Sequence, residues 1–176
     1  MVWVTSFKFY IDKYEVTNRD YRKCVAAGTC AALESRSGFD APNQPVVLVS
    51  QREARVYCAW AGKRLPSETE WQEAAQGTDD RRFPWGNAPP NCRLANYYEC
   101  NKGQTLPVGS KPAGASPCGA LDMAGNVWEW VEENGVLRGG GWNRLDNVLL
   151  VTGRDHVFGN YRSDDLGFRC VRDGSP

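Results

Sequence analysis

The chain has 176 residues with 21 Lys+Arg against 21 Asp+Glu, a formal net charge of zero. That balance argues against a nucleic-acid binder held by phosphate contacts. No apolar run approaches the roughly 20 residues of a membrane-spanning helix, and a lone His156 without CxxC spacing argues against structural zinc. The length suffices for one domain with its own core, and residues 1–176 read as a single domain without repeat or low-complexity tract. With 18 Gly, 10 Pro and 7 Trp, the composition points to a few large buried aromatics among many loops. No signal peptide is visible, and Met1 directly precedes strand-like sequence, which leaves room for an upstream segment.

In chain order, residues 7–14 (FKFYIDKY) alternate aromatic and polar side chains and predict a strand. Thr17 is placed to cap a helix running to about Ala27, with Tyr21, Cys24 and Val25 on one face and Gly28 as its stop. Residues 29–43 are small and polar and read as a loop. Ser50 and Glu53 form a capping box opening a helix over residues 50–62, with Val56, Tyr57, Trp60 and Ala61 as its apolar face. A second capping box, Ser67 with Glu70, opens another helix that faces Trp71, Ala74 and Ala75 inward and ends at Gly77. Beyond it, PWGN, PPNC and PVGS are turn chemistry. Residues 128–132 and 167–172 are strand candidates. Cys24 with Cys30, and Cys92 with Cys100, are close enough in sequence for local disulfides. Cys58, Cys118 and Cys170 read as buried small hydrophobes. Disulfides would imply an oxidising compartment, secreted or at the cell surface, or a hyperthermophile cytosol.

Seven motifs follow one another in one order: FYIDKYEVTNRDY, YCAWAGKRLPSETEWQEAA, PWGN, PVGS, GALDMAGNVWEWV, LRGGGW and GFRCVR. Together, from about Phe7 to Arg172, they resemble the formylglycine-generating enzyme family, also called the sulfatase-modifying-factor type. The resemblance implies an α+β, C-type lectin-like fold: two short helices packed on small mixed sheets with extensive loops. Arg138, Trp142 and Arg169 are then framework, and Arg138, Arg169 and Arg64 are expected to pair with carboxylates that tie loops to the sheet. The family's enzymes oxidise a cysteine of a client sulfatase with copper held by two thiolates, a soft donor pair suited to Cu(I). The matching region, residues 143–150, holds no Cys. No copper and no catalytic residue are therefore expected, and the chain is expected not to be an enzyme. The resemblance also implies a structural Ca2+ site on LDMAGNVWE, with the side chains of Asp122 and Glu129 and the carbonyls of Gly125 and Val127 as hard oxygen ligands. The other reading is that Asp122 only hydrogen-bonds loop amides.

Between LRGGGW and LGFRC, residues 137–170 follow no burial period. Asn143, Arg144, Leu145, Asp146, Gly153, Asp155, His156, Val157, Phe158 and Asn160 are the candidate ligand contacts. Val157 and Phe158 beside Asp155 and His156 are odd for a solvated loop and sensible for a contact patch. Asp164 and Asp165 are expected to cap a turn or meet Arg162. The segment also resembles the variable proteins of diversity-generating retroelements, which use the same lectin-type fold. Their diversification replaces adenines, mostly in AAY codons, and does not reach Lys, Glu, Gln, Met or Trp. Residues 135–176 contain no Lys, Glu, Gln or Met, and their one Trp, Trp142, is framework. The expected function is a non-catalytic ligand-binding protein with a variable recognition surface. The alternative is a generic sulfatase-modifying-factor-like accessory protein, with a formylglycine-generating oxidase the least favoured reading. The expected partner is a protein rather than a small molecule, with no nucleic acid and no membrane span.

Overall fold

A computed structural model describes residues 1–100 and 103–174. In chain order the elements are β1 (Val2–Val4), β2 (Phe9–Ile11), α1 (Asn18–Ala26), α2 (Gln51–Trp60), α3 (Glu68–Gln76), β3 (Trp128–Trp130), β4 (Val136–Arg138), β5 (Arg154–His156), β6 (Leu166–Phe168) and β7 (Val171–Asp173). The architecture is α+β, and the three α-helices among the described residues are the three that the capping residues predict, one more than the resemblance implies. The strands form a three-stranded sheet, β1-β2-β7, and a four-stranded one, β5-β4-β3-β6. All pairings are antiparallel except β3 with β6.

The helices start where local chemistry dictates. Thr17 accepts from the Asp20 amide. Both capping boxes form: the Glu53 amide donates to Ser50 Oγ while Glu53 accepts from the Ser50 amide, and Ser67 with Glu70 repeats the exchange. Each box satisfies first-turn donors that a helix cannot satisfy itself. Gly77 closes α3 at φ 70°, and Pro117 Cγ lies 2.8 Å from where a Cβ would sit. Any side chain there meets both strain and a clash.

The buried face of α2 differs from the expected one: it is Gln51, Ala54, Tyr57 and Cys58, and Trp60 is exposed. Three bonds hold the helix this way. Gln51 Nε2 donates to the carbonyls of Val131 and Glu133, and Cys58 is disulfide-bonded to Cys170. The reading of Cys58 and Cys170 as unbonded core residues is thereby corrected. They are buried, but as a cross-link between residues 112 apart. Cys24–Cys30 and Cys92–Cys100 also form, leaving Cys118 free. The expected strand over residues 167–172 is two strands in different sheets. The chain turns between them at Arg169 and Cys170, whose side chains are held by Glu129 and Cys58.

Strand β3 is buried on both faces, and period-two alternation divides it. Trp128 and Trp130 pack with Tyr57, Leu166 and Phe168 against α1 and α2. Val131, just beyond the strand, packs with Trp71, Phe9 and Ile11 beneath α3. Glu129 points to the second side and has no exposure.

Candidate functional site

The framework residues hold the walls of the site. Arg169 donates through Nε and Nη2 to the two oxygens of Glu129 at 2.7 Å each, and through Nη2 to the Leu121 carbonyl at 2.8 Å. Neither partner is exposed. Burial alone would depress the guanidinium's pKa, but Glu129, together with Glu15 and Asp122, outweighs it and the net shift is upward. Removing one partner of such a pair leaves an uncompensated buried charge, at a cost of about 3–5 kcal/mol. Arg138 donates to Glu68 and Gln72 at 2.9 Å each and to the Val151 carbonyl, with its guanidinium 5.3 Å from the Trp71 ring. Arg64 meets Glu70 and Asp173. Trp142 Nε1 donates to the Asp164 carbonyl at 3.1 Å.

Behind this framework lies a cluster of carboxyls. Glu15, Asp122 and Glu129 are all buried, against the single guanidinium of Arg169. Glu15 Oε1 accepts from Asn126 Nδ2 at 2.9 Å, and its Oε2 has no donor. Asp122, at φ 58°, accepts from the Gly109 amide at 2.5 Å. Burial pushes the Glu15 carboxyl well above the usual carboxylate range, and the neighbouring Asp122 charge adds to it; burial raises Asp122 too. The set Asp122, Gly125, Val127 and Glu129 does not fit the calcium site that the resemblance implies. Both Glu129 oxygens are taken by Arg169, and Oε2 also accepts from Trp71 Nε1 at 2.8 Å. A divalent ion there would face a guanidinium, where Ca2+ needs six to eight oxygen ligands. Among the described residues no group of three His, Cys, Asp or Glu is placed to hold a metal.

The ten candidate contacts fall into two groups. Asn143, Arg144, Leu145 and Asp146 lie beside Tyr98, whose amide donates to the Arg144 carbonyl. Leu145 and Asp146 are exposed, and Asn143 Oδ1 is buried without a donor. Arg144 is tied to Asp165 at 3.0 Å. That corrects the expectation for the aspartates: Asp165 meets Arg144, Asp164 meets Arg36, and Arg162 meets Glu53. In the second group Asp155 and His156 are exposed on β5, which pairs with β4 through Leu137 and Val136. Phe158 is 85% exposed. Val157 is half-buried against the core, with its amide on the Gly135 carbonyl. Gly153 is a close-approach position: a Cβ there would lie 2.5 Å from the Val148 carbonyl. Asn160 borders a cleft of about 850 Å³ shared with α2.

Sequence reasoning missed the cleft's other wall, with Arg52, Arg55 and Asn134. It also missed the buried anchors Leu149 and Val151 that pin the run between its two groups. No local signal marks the wall. The anchors are visible only as apolar residues in VLLV.

Comparison with known proteins places this geometry. The chain is 50% identical over 97 residues to a hercynine oxygenase from Mycolicibacterium thermoresistibile, covering 51% of this chain and 21% of that protein. It is 38% identical over 149 residues to the inactive Cα-formylglycine-generating enzyme 2 of Bos taurus, covering 72% and 50%. The chain thus spans about a fifth to a half of these relatives' lengths. PvdO from Pseudomonas aeruginosa superposes with a TM-score of 0.77 at 27% identity, over 94% of this chain and 80% of that one. Treponema denticola variable protein 1 superposes at 0.75 with 20% identity, over 93% and 84%, a likeness of fold. The expectation that the chain is not an enzyme is overturned: relatives at about half identity are named as oxygenases. That expectation took the loss of one thiolate pair for the loss of all chemistry. No helix among the described residues is long and apolar enough to cross a membrane. Residues 2–174 match the Sulfatase-modifying factor enzyme 1-like domain, and the chain belongs to that family.

Proposed function

We propose that the chain is a ligand-recognition domain of this family, reading a protein partner through the exposed side chains of residues 143–160. The observation that carries this is Phe158, 85% exposed among polar side chains on a backbone anchored on either side. Val157 packs on the core upstream, and the Gly159 carbonyl downstream accepts from the Gln51 amide. A fixed, exposed aromatic on a rigid scaffold gives contact area at little ordering cost, and covering a Phe contributes about 1.5–3 kcal/mol. The finer reading is a diversified surface, as in the variable proteins of diversity-generating retroelements. It is supported by the absence of Lys, Glu, Gln and Met from residues 135–176 and by the fold shared with the Treponema protein. A second reading, favoured by the hercynine oxygenase relatives, has this domain working inside an enzyme, with the same face toward its substrate.

The test replaces Leu145, Asp155, His156, Phe158 and Asn160 together and leaves Arg144, Gly153 and Val157 in place. Surface changes cost within about 0.5 kcal/mol each, so the melting temperature is expected to move by less than about 10 °C. A loss of tens of degrees would show that these side chains hold the fold. The diversified reading is checked at the gene. A reverse transcriptase beside a near-copy of the segment coding for residues 137–170, differing at adenines, is the expected finding.

A further inference from the structure

The cleft beside Phe158 runs between the start of α2 and residues 159–162, and Arg52, Arg55 and Arg162 line it together with Glu53. Two of these arginines are already neutralised by the chain itself. Arg162 Nη2 donates to Glu53 at 2.7 Å, and Arg55 Nε donates to Glu132 at 3.1 Å. Arg52 is exposed and has no carboxylate, hydrogen bond or ring contact among the described residues. Its amide, in the first turn of α2, likewise has no acceptor, whereas the Gln51 amide donates to the Gly159 carbonyl and the Glu53 amide to Ser50 Oγ. A guanidinium and a free first-turn amide on one residue form a donor set for a carboxylate, and the helix dipole adds to it. Asn134 and Asn160 border the same space with amide donors. The exposed Phe158 directly precedes the Gly159 and Asn160 of the lining in the chain.

We infer that this cleft receives an acidic side chain of a protein partner, with Arg52 as the specificity-determining residue and Phe158 covering an apolar group beside it. The pattern is one of arginine–carboxylate pairs with one carboxylate missing, and the partner supplies it. The cleft continues the face of residues 143–160 through Asn160, which fits a peptide segment of a partner rather than a free small anion. The inference rests on residues 143–160 being a contact face, and extends that face to α2.

The experiment measures fluorescence anisotropy of a fluorescein-labelled peptide of alternating Asp and Leu, with Lys–Leu and Asn–Leu peptides as controls. The Asp–Leu peptide is expected to bind best, with affinity falling as salt is raised. Arg52→Glu should weaken it by about tenfold or more without changing the melting temperature, because Arg52 holds nothing in the fold. Equal binding of the three peptides, absence of binding, or indifference to Arg52→Glu would overturn the inference. Displacement by millimolar acetate as effective as by unlabelled peptide would make this a small-anion site, and would overturn the protein partner. Phe158→Ala separates the two proposals. Binding that depends on Arg52 but not on Phe158 keeps the cleft and removes Phe158 from the contact face.

Discussion

Glu15 is a carboxyl whose charge has no compensating partner. It is 2% exposed, and the one guanidinium in its neighbourhood, Arg169, already makes two bonds to Glu129. The charge of neighbouring Asp122 adds to the effect of burial in raising the Glu15 carboxyl. Two bare carboxylates repel, which favours a proton on Glu15. Oε1 accepts from Asn126 while Oε2 has no partner, so nothing stabilises a negative charge on that oxygen. The groups facing Glu15 are Asp122, Glu129 and Arg169. The folded-state pKa of Glu15 is raised, so the native state holds a proton that the unfolded chain has released. Stability from this group is complete below the ordinary carboxylate pKa and is lost as pH rises through the raised value. Glu15→Gln is uncharged at every pH. The variant is expected to melt near the wild-type temperature at about pH 4 and several degrees above it at about pH 8. Calorimetry across that range decides the point. A variant that is less stable by a constant amount at every pH would mean that Glu15 is ionised in the fold.

Among the elements, the unequal loops closed by the disulfides make a graded prediction. Cys58–Cys170 spans 112 residues and ties α2 to the β6–β7 turn, while Cys24–Cys30 and Cys92–Cys100 span 6 and 8. In the chain-entropy account the long loop contributes about 5 kcal/mol and each short one about 2 kcal/mol. Replacing Cys58 and Cys170 by Ala is expected to lower the melting temperature by about 10–20 °C, and replacing Cys24 and Cys30 by less than half of that. Equal losses would point to local packing rather than loop closure. This long cross-link also marks where sequence reading stopped. The helices were legible because a capping box is complete within four residues: Ser50 with Glu53 and Ser67 with Glu70 announce themselves. The strands β1, β4 and β5 have three residues each, too few for a period to show. The division of GFRCVR between two sheets depends on Glu129 and Cys58, which lie far away in the chain. The site shows the same split. Phe158 stood out as an apolar residue in polar company, whereas Gly153 reveals its tight contact only once the turn around Val148 is built. Arg52 joined the site only after α2 was docked.

At the scale of the whole molecule, the two sheets are bonded to one another at several points. The Asp12 amide donates to the Cys170 carbonyl, the Val16 amide to Phe168, and the Leu121 amide to Lys13. Arg64 and Val171 exchange both backbone bonds. Arg169 alone joins the Asp12 carbonyl beside the smaller sheet, the Leu121 turn and Glu129 of the larger sheet. Losing β7 would strip this arginine's surroundings and expose Glu129, so the cost falls on both sheets at once. The chain matches only 21% of the oxygenase's length, yet its two largest core clusters lie on opposite sides of β3 and close within the described residues. The chain is therefore expected to unfold in a single transition without flanking domains. Its enthalpy should be near 0.7 kcal/mol per residue at about 60 °C, and the calorimetric and van't Hoff values should agree. An early transition confined to the β1-β2-β7 sheet would separate the sheets. The contact face would then stand on the four-stranded sheet alone, since β4 and β5 carry it. A single transition means that residues 143–160 draw their rigidity from the whole domain, which is the condition for side chains there to change without loss of the fold.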